Sequence, residues 1–396
     1  MTANPVSGHH GNTSYTGVPA LIQLMDHHGN TLNHPKLSSY VQDITGDDLQ
    51  EMYRQMFLTR RFDDEATALQ RQGKLALWVP SRGQEAAQIG SAWGLEPTDY
   101  VVPSYREHAL AFSRGIDFSE LITYFCGTDT CPWDIKKHNF HNYTVVLAAQ
   151  VPHAVGYAMG INLDRELAES TGEQHTGKRQ TTDSVTDKLS PAVAVYFGDG
   201  SSTEGEIHES MVFATSYNAP LLFFIQNNQW AISVPFSTQS RVPLSTRAAG
   251  YGMEGIRVDG NDVLAVAAAT RYAMEKIRAG EGPVLIEAET YRLGAHTTAD
   301  DPTRYRTEEE LTERALLDPL VRLEKHLREQ HGTNQDFFDA LDAEAQQMAH
   351  EVRNAALAAK PADFDCTFEL TYAEPHTQTE TDRAFYREYV AGFEEE

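Results

Sequence analysis

Hydrophobic residues recur at two different periods along the chain, and each period predicts a different kind of element. Leu49, Met52, Tyr53 and Met56 have helical spacing, which predicts an amphipathic helix over about residues 47–72. Further helices are expected at 84–93, 118–125, 152–167, 204–217 and 261–278. Continuous apolar runs are typical of strands that are buried on both faces. Such runs occur at 192–197, 221–225, 256–258 and 283–288.

This order of elements predicts the fold class. Strands that alternate with helices of this length are typical of an α/β fold, a doubly wound parallel sheet with flanking helices. We expect residues 1–45 to form an N-terminal arm rather than a packed layer, and 46–306 to form the α/β domain. Residues 169–190 contain almost nothing apolar, which predicts an exposed insertion. Residues 307–396 are charged and have helical spacing, which predicts a helical C-terminal region ending in an acidic tail.

Composition narrows the possible partners and compartments. The 396 residues carry a formal charge of −25, and a surface of that sign repels nucleic acid and anionic lipid. No segment approaches the roughly 20 apolar residues of a membrane span, and the N-terminus lacks the pattern of a secretory signal. Cys126, Cys131 and Cys366 do not suit a disulfide framework. We therefore expect a cytoplasmic protein that binds neither nucleic acid nor membranes.

Polar clusters follow two of the predicted strands. Gly198, Asp199 and Gly200 end the first strand, and Asn227 and Asn228 end the second. In a parallel sheet, both clusters lie at the carboxyl edge, where ligands bind. The glycines permit a tight turn whose N–H groups can face a phosphate. Asp199 and Asn228 offer oxygen ligands of the kind that Mg²⁺ takes together with phosphate oxygens. The sequence thus predicts a magnesium and diphosphate site.

The block that contains both clusters, FGDGSSTEGEIHESMVFATSYNAPLLFFIQNNQWAISVP, resembles a known motif. It is similar to the thiamine diphosphate motif in alpha subunits of pyruvate and branched-chain 2-oxo acid dehydrogenases. The resemblance spans about residues 45–327, through GQEAAQIGSA, PSYREHALAFSRG, AAQVPHAVGYAMG, GIRVDGNDV and YRLGAHTTADDPTRYR. It implies the thiamine diphosphate-binding fold, with thiamine diphosphate and Mg²⁺ as cofactors.

The resemblance also implies roles for individual residues. Asp199, Asn228 and the backbone carbonyl of Trp230 would hold the Mg²⁺, with Gly198 and Gly200 beside the cofactor. Tyr105 and Arg106 would hold the diphosphate. A diphosphate in an acidic protein also needs the forked donors of a guanidinium, which supports the assignment of Arg106 on physical grounds.

Three further positions follow from the resemblance. Leu147 falls where the family places a backbone group against the aminopyrimidine ring and an apolar side chain under the bent cofactor. His296 matches a histidine that touches the phosphate and shapes the active site, and we predict it as a catalytic residue on a loop at the sheet's carboxyl edge. Thr297 stands at the position of a regulatory phosphoserine in mammalian relatives. Nothing in the sequence indicates a kinase for it.

The aminopyrimidine ring requires a carboxylate, which this enzyme class provides from a second domain. No second doubly wound unit follows in this chain. The resemblance therefore implies a beta subunit that supplies it, in an assembly of two alpha and two beta chains. The acyl group left by decarboxylation of a 2-oxo acid would pass to a lipoyl domain of the acyltransferase component. Its access channel suggests mobile loops at 129–142 and 294–306.

The substrate admits alternatives. GIRVDGNDV, TEGEIH and LGAHTTADDP favour a branched-chain 2-oxo acid such as 3-methyl-2-oxobutanoate, whereas DDPTRYR and ALQRQGKLALW also resemble bacterial pyruvate-type relatives. Gln226 replaces an arginine of the animal branched-chain pattern, and Ala149 replaces a potassium-binding hydroxyl. The sequence therefore does not decide whether a potassium site is present. A nicotinamide-nucleotide Rossmann dehydrogenase would need GxGxxG, and GDGSST lacks its third glycine. A non-enzymatic scaffold would show no cofactor dependence.

Overall fold

A five-stranded parallel sheet forms the centre of the molecule. The computed structural model describes residues 17–128, 131–171, 190–360, 364–369 and 371–394. The strands are β1 (Tyr100–Val102), β2 (Val193–Gly198), β3 (Leu221–Asn227), β4 (Trp230–Ala231), β5 (Val234–Pro235), β6 (Glu254–Asp259) and β7 (Val284–Glu289). The central sheet has the order β1-β2-β3-β7-β6, and β4 pairs with β5 in a small antiparallel hairpin.

Helices cover both faces of this sheet. They are α1 (Gly46–Arg71), α2 (Glu85–Ala92), α3 (His108–Ser113), α4 (Phe118–Phe125), α5 (Ile135–His138), α6 (Gln150–Thr171), α7 (Gly205–Ser216), α8 (Phe236–Gln239), α9 (Arg247–Gly250), α10 (Val263–Arg278), α11 (Glu308–Ala315), α12 (Pro319–Gln330), α13 (Gln335–Ala358), α14 (Cys366–Glu369) and α15 (Thr377–Glu394). Short 3₁₀ helices occupy Ser38–Val41, Gly200–Thr203, Leu244–Thr246 and Pro302–Arg304.

The two faces of the sheet build two separate cores because successive side chains of a strand point to opposite sides. Ala194 and Tyr196 of β2 join a core with residues of α1, α2 and α10. Val193, Val195 and Phe197 of the same strand join a second core with α6 and α7. A parallel sheet buried in this way confirms the predicted α/β fold, and α11 to α15 confirm the helical C-terminal extension.

The register of the sheet determines where the polar clusters lie. β2 and β3 pair in parallel from Val193 opposite Leu221 to Gly198 opposite Gln226. Both strands therefore end at the same level of the same edge. Asp199 and Asn228 leave the sheet there, as the sequence predicts.

The N-terminal segment differs from the prediction. Leu24, Met25 and Leu37 are buried, and Ile22 forms a bridge with Val258 of the outermost strand β6. The backbone N–H groups of Leu24 and Met25 donate to the carboxylate of Asp262, at 2.7 and 2.6 Å. The expectation of an arm that is not a packed layer is therefore wrong for residues 17–45, because buried apolar side chains and backbone hydrogen bonds hold them on the body. Residues 1–16 lie outside the described part.

Two other expectations meet the structure only in part. Residues 169–171 of the predicted insertion form the last turn of α6, and 172–189 lie outside the described residues. The last two residues of the acidic tail also lie outside them. None of the helices in the described ranges combines the length and the apolar character needed to cross a membrane.

Candidate active site

One cavity at the carboxyl edge of the sheet brings the predicted site residues together. Its volume is about 550 Å³, within the range of small-molecule pockets. The predicted residues that line it are Tyr105, Arg106, Leu147, Gly198, Asp199, Gly200, Asn228, Trp230 and His296. These residues come from separate segments of the chain, and the sheet and its loops place all of them around one space.

Asp199 is a buried carboxylate with no salt bridge to any described side chain. Its side chain is 1% exposed, and burial raises the pKa of its carboxyl group. Gln239 donates one hydrogen bond to Oδ2 at 3.0 Å. Backbone hydrogen bonds and the charge of Arg292 also favour the ionised carboxylate, but no salt bridge reaches Asp199 among the described residues. A buried charge is unfavourable unless a cation or strong donors compensate it. The surroundings of Asp199 therefore suit a bound metal ion.

Asn228 and Trp230 present two further oxygens. Asn228 Oδ1 accepts a hydrogen bond from Trp230 N at 3.2 Å, and Trp230 O accepts one from Arg292 Nη1 at 3.2 Å. Each oxygen has a second lone pair that a cation can use. Asn228 Nδ2 donates to Gln84 Oε1 at 3.3 Å, and Gln84 Nε2 is buried without a partner in the described structure. That orphaned donor lines the cavity and suits an anionic ligand.

These oxygens do not form a complete metal cage. Within the described ranges, no group of three or more His, Cys, Asp or Glu side chains is placed to hold a metal ion. A site with one carboxylate, one amide and one carbonyl oxygen agrees with Mg²⁺, which takes its remaining ligands from phosphates and water. The fit therefore depends on a phosphate-bearing ligand.

Arg106 provides the positive charge for such a ligand. Its guanidinium group donates to Pro80 O, and its Nη2 donates to His296 O at 3.0 Å and to His296 Nδ1 at 3.2 Å. Arg106 is buried, so these contacts fix its position before any ligand binds. Tyr105 precedes it on the cavity wall.

His296 is held as a neutral ring. Burial and the neighbouring charges of Arg106 and Arg292 lower the pKa of His296 to about 4. A guanidinium can only donate, so Nδ1 must accept from Arg106, and the ring proton lies on Nε2. His296 can therefore donate a hydrogen bond from Nε2.

The loop that carries His296 is fixed by hydrogen bonds. Asp300 Oδ2 accepts from His296 N at 2.8 Å, and Arg306 Nη2 donates to Gly294 O at 2.9 Å. Arg292 is fully buried, and burial lowers its pKa to about 10. The expectation of a mobile loop at 294–306 finds no support in these contacts. In the other predicted loop, 129–142, residues 129 and 130 lie outside the described part.

Several cavity residues were not predicted. Glu107 and Gln226 are buried polar residues beside Arg106 and Asn228. The sequence signal for Glu107 was weak, since an acidic residue after Arg106 is also typical of a helix start. The cavity also has an apolar wall, formed by Leu77, Val79, Tyr124, Phe125, Leu147 and Ile232. This wall can accommodate a hydrocarbon group.

The fold and this cavity agree with a family of known enzymes. The family model described as "Dehydrogenase E1 component" matches residues 53–364. The chain therefore belongs to the dehydrogenase E1 component family, and this family implies thiamine diphosphate as the cofactor. The family and enzyme class predicted from the sequence are confirmed, and the nicotinamide dehydrogenase and scaffold alternatives are set aside.

The names of two similar curated proteins give different substrates. The 3-methyl-2-oxobutanoate dehydrogenase subunit alpha of Mycobacterium tuberculosis (strain ATCC 25618 / H37Rv) is 42% identical over 336 residues, which is 85% of each chain. The pyruvate dehydrogenase E1 component subunit alpha of Staphylococcus aureus (strain N315) is 37% identical over 319 residues, which is 80% of this chain and 79% of the relative.

Proposed function

We propose that this chain is the alpha subunit of a branched-chain 2-oxo acid dehydrogenase. It would take part in the oxidative decarboxylation of a substrate such as 3-methyl-2-oxobutanoate, with transfer of the acyl group to a lipoyl domain of the acyltransferase component. The observation that carries the proposal is the single cavity that combines a buried carboxylate, a buried guanidinium and an apolar wall. The higher identity to the 3-methyl-2-oxobutanoate relative supports the choice of substrate.

In this proposal the chain holds the metal and diphosphate end of the cofactor. Asp199, Asn228 and the carbonyl of Trp230 would hold Mg²⁺, whose charge would offset that of the buried Asp199 carboxylate. Gly198 and Gly200 would lie beside the cofactor, and Gly200 packs closely on the cavity wall: a Cβ on Gly200 would lie 3.0 Å from Ala231 Cβ, whereas a Cβ on Gly198 would meet no atom within 4 Å. When bound, thiamine diphosphate supplies the carbon nucleophile that attacks the 2-oxo group and accepts the electron pair as carbon dioxide leaves.

The chain's other site residues orient this ligand. Arg106 and Tyr105 face the diphosphate, where the guanidinium offsets its negative charge. His296 donates from Nε2 to a phosphate oxygen or to the substrate carboxylate, and its neutral ring can do so without a change of protonation at neutral pH. Leu147, which is 43% exposed at the cavity mouth, would lie under the aminopyrimidine ring.

An exposed apolar surface supports a partner subunit that completes the site. Its exposed residues lie at the cavity mouth and on α6 and α7: Val145, Val146, Leu147, Tyr157, Leu163, Leu167, Val212, Phe213 and Tyr217. The two helices are joined by hydrogen bonds from Asn162 Nδ2 to the carbonyls of Tyr217 and Asn218. Extended exposed apolar surfaces mark protein interfaces. A beta subunit on this surface, in an assembly of two alpha and two beta chains, would supply the carboxylate for the aminopyrimidine ring.

The test is decarboxylation by this chain co-expressed with its beta partner. The assay contains thiamine diphosphate, Mg²⁺, an artificial electron acceptor and either 3-methyl-2-oxobutanoate or pyruvate. We expect faster turnover of the branched substrate, and a loss of at least about 100-fold in Asp199→Ala because a direct metal ligand is removed. Asp336→Ala, an exposed position at the start of α13, is the control and should keep full activity.

Two other results are informative. Faster turnover of pyruvate would overturn the branched-chain assignment while leaving the cofactor site intact. An assembled pair that neither binds thiamine diphosphate nor turns over either acid would overturn the proposed function.

A further inference from the structure

Glu107 is a buried acidic residue of the cavity wall for which the proposed function has no role. It follows Arg106 directly and precedes α3, and its side chain is 1% exposed. Burial raises the pKa of its carboxyl group, although several donors oppose that shift. A carboxylate close to a diphosphate is unfavourable by charge alone. Its presence there requires a reason other than ligand attraction.

Its two carboxylate oxygens hold the backbone of the segment that carries the cofactor residues. Oε2 accepts from Ser104 N at 2.8 Å and from Arg106 N at 3.2 Å. Oε1 accepts from Gln226 Nε2 at 2.6 Å. Glu107 thereby ties the segment containing Tyr105 and Arg106 to the carboxyl end of β3, two residues before Asn228.

A second side chain fixes the direction of this connection. Gln88 of α2 donates from Nε2 to Gln226 Oε1 at 3.1 Å and to Arg106 O at 3.0 Å. Its own Oε1 accepts from Ala109 N at 3.0 Å. The amide oxygen of Gln226 therefore faces Gln88, and its NH₂ group faces Glu107. Both the N–H and the C=O of Arg106 are bound by this network.

We infer that Glu107 is a positioning residue for the cofactor's diphosphate, which acts by holding Tyr105 and Arg106 in place through hydrogen bonds to their backbone segment and to Gln226. This inference rests on the proposed function, in which those two residues bind the diphosphate. The network presets the guanidinium before the ligand arrives, so less ordering accompanies binding. Glu107 itself need not touch the ligand.

The direction of the hydrogen bond between Gln226 and Glu107 gives a direct test. In Glu107→Gln, the amide oxygen at position 107 can still accept from Ser104 N and Arg106 N. Its NH₂ group then faces the NH₂ group of Gln226, so two donors meet. In Gln226→Glu, two carboxylates face each other. The double variant E107Q/Q226E restores every hydrogen bond of the network. The bond between positions 107 and 226 runs in the opposite direction, because the new amide at position 107 donates to the new carboxylate at position 226. That carboxylate also accepts from Gln88. We use the alpha–beta assembly for all variants.

The measurements are the Kd for thiamine diphosphate with Mg²⁺, and kcat at saturating cofactor. We expect each single variant to weaken cofactor binding by about 10-fold to 100-fold, as for other residues that orient ligand-binding groups, with kcat changed far less. The double variant should recover binding to within about threefold of the wild-type value, a rescue expected of directly paired side chains. Asp262→Asn is the matched control, since Asp262 is equally buried and accepts from three backbone N–H groups away from the cavity.

An unchanged Kd in both single variants would overturn the inference, and so would a double variant that binds no better than the singles. A fall in kcat with an unchanged Kd would also overturn it, because Glu107 would then act in the chemistry. If one single variant fails to assemble, the other single and the double variant still decide. Failure of the wild-type assembly to bind thiamine diphosphate would contradict the proposed function instead.

Discussion

At the scale of single residues, burial shifts the pKa values of groups on which the site depends. Burial raises the pKa of the Asp199 carboxyl group, and His296 is held neutral beside Arg106. Both conditions arise from exclusion of water together with nearby charges, which are the common causes of a shifted pKa. The site therefore has a fixed charge pattern that favours a metal ion next to an anion.

We predict that the His296 ring titrates at a pH near 4 in the assembled enzyme without cofactor. The reason is burial together with the charge of Arg106, which disfavours the imidazolium. Because folding lowers the pKa of this ring, folding favours its neutral form. Its contribution to stability is therefore complete above the unfolded pKa of about 6.5 and is lost as the pH falls towards 4. NMR of isotope-labelled histidine, with His296→Gln for assignment, would measure it. A midpoint near 6.5 would contradict the prediction.

A second prediction concerns Asp63, whose pKa is raised to about 8 by burial and by the nearby Glu85. Folding then favours the protonated acid, so stability declines as the pH rises from the unfolded pKa of about 4 to about 8. Asp63→Asn cannot ionise and keeps an oxygen for Ser81 N, which the wild-type carboxylate binds at 2.8 Å.

The measurement is the free energy of unfolding at pH 6 and pH 9. From pH 6 to pH 9, we expect the free energy of unfolding of Asp63→Asn to rise by at least about 1 kcal/mol relative to that of the wild type. This difference corresponds to less than one pKa unit. Conversion of an exposed acid, Asp64→Asn, provides the comparison. Parallel pH dependences for Asp63→Asn and the wild type would show that the carboxyl is ionised when folded.

At the scale of elements, the loop between α1 and α2 helps to position the site. The loop over residues 80–84 supplies Pro80 O to Arg106 and Gln84 Oε1 to Asn228. Gly83 lies in this loop with φ +93°, and an added Cβ would lie 2.1 Å from Tyr291 O. Only glycine fits this combination of conformation and close approach.

We therefore predict that Gly83→Ala disturbs both stability and cofactor binding. A positive φ and a backbone clash together should destabilise the fold by about 2–4 kcal/mol and weaken thiamine diphosphate binding. Gly73→Ala is the matched control, since Gly73 has φ +73° but no atom within 4 Å of the added Cβ. Thermal unfolding and cofactor titration would separate the two. Equal effects of both substitutions would show that the close contact at Gly83 has no consequence.

The elements also show which parts of the structure are visible in the sequence. β2, β3 and β7 were predicted within two residues, because strands buried on both faces leave long apolar runs. β1 has three residues and the hairpin strands have two each, too few for a period to appear. The Gln88–Gln226–Glu107 network was not predicted, since polar residues in a sequence do not reveal their spatial partners. Asp199 and Asn228 are predictable from their positions after two buried strands, whereas Trp230, Tyr105 and Leu147 follow only from the resemblance.

At the scale of the whole molecule, the chain resembles one side of an active site. The cavity lies at the carboxyl edge of the sheet with exposed apolar residues such as Leu147 on its wall, and α6 and α7 carry further exposed apolar side chains on one face of the sheet. Such a surface is unfavourable in water unless a partner covers it. If the proposed beta subunit covers this surface, we expect assembly and catalysis to be coupled.

We predict that Leu163→Asp on α6 prevents stable assembly with the beta subunit, because a charge would be buried in an apolar interface. Leu163 is 63% exposed, so the fold of the alpha chain itself should persist. Leu357→Asp on α13, where the leucine is 53% exposed, is the control and should assemble normally. Co-purification and size-exclusion chromatography measure the outcome. Unchanged assembly of Leu163→Asp would place the interface elsewhere.

The N-terminal segment around Ile22, which pairs with β6, protects the chain from aggregation. Ile22 N donates to Arg257 O and Ile22 O accepts from Asp259 N, each at 3.0 Å, so the segment occupies backbone groups on the free side of β6. An uncovered outer strand is a template for pairing with other chains. A chain shortened to begin at residue 46, a natural choice from the sequence pattern alone, would expose that template. Its failure would appear as intermolecular sheet growth rather than as loss of the cofactor site.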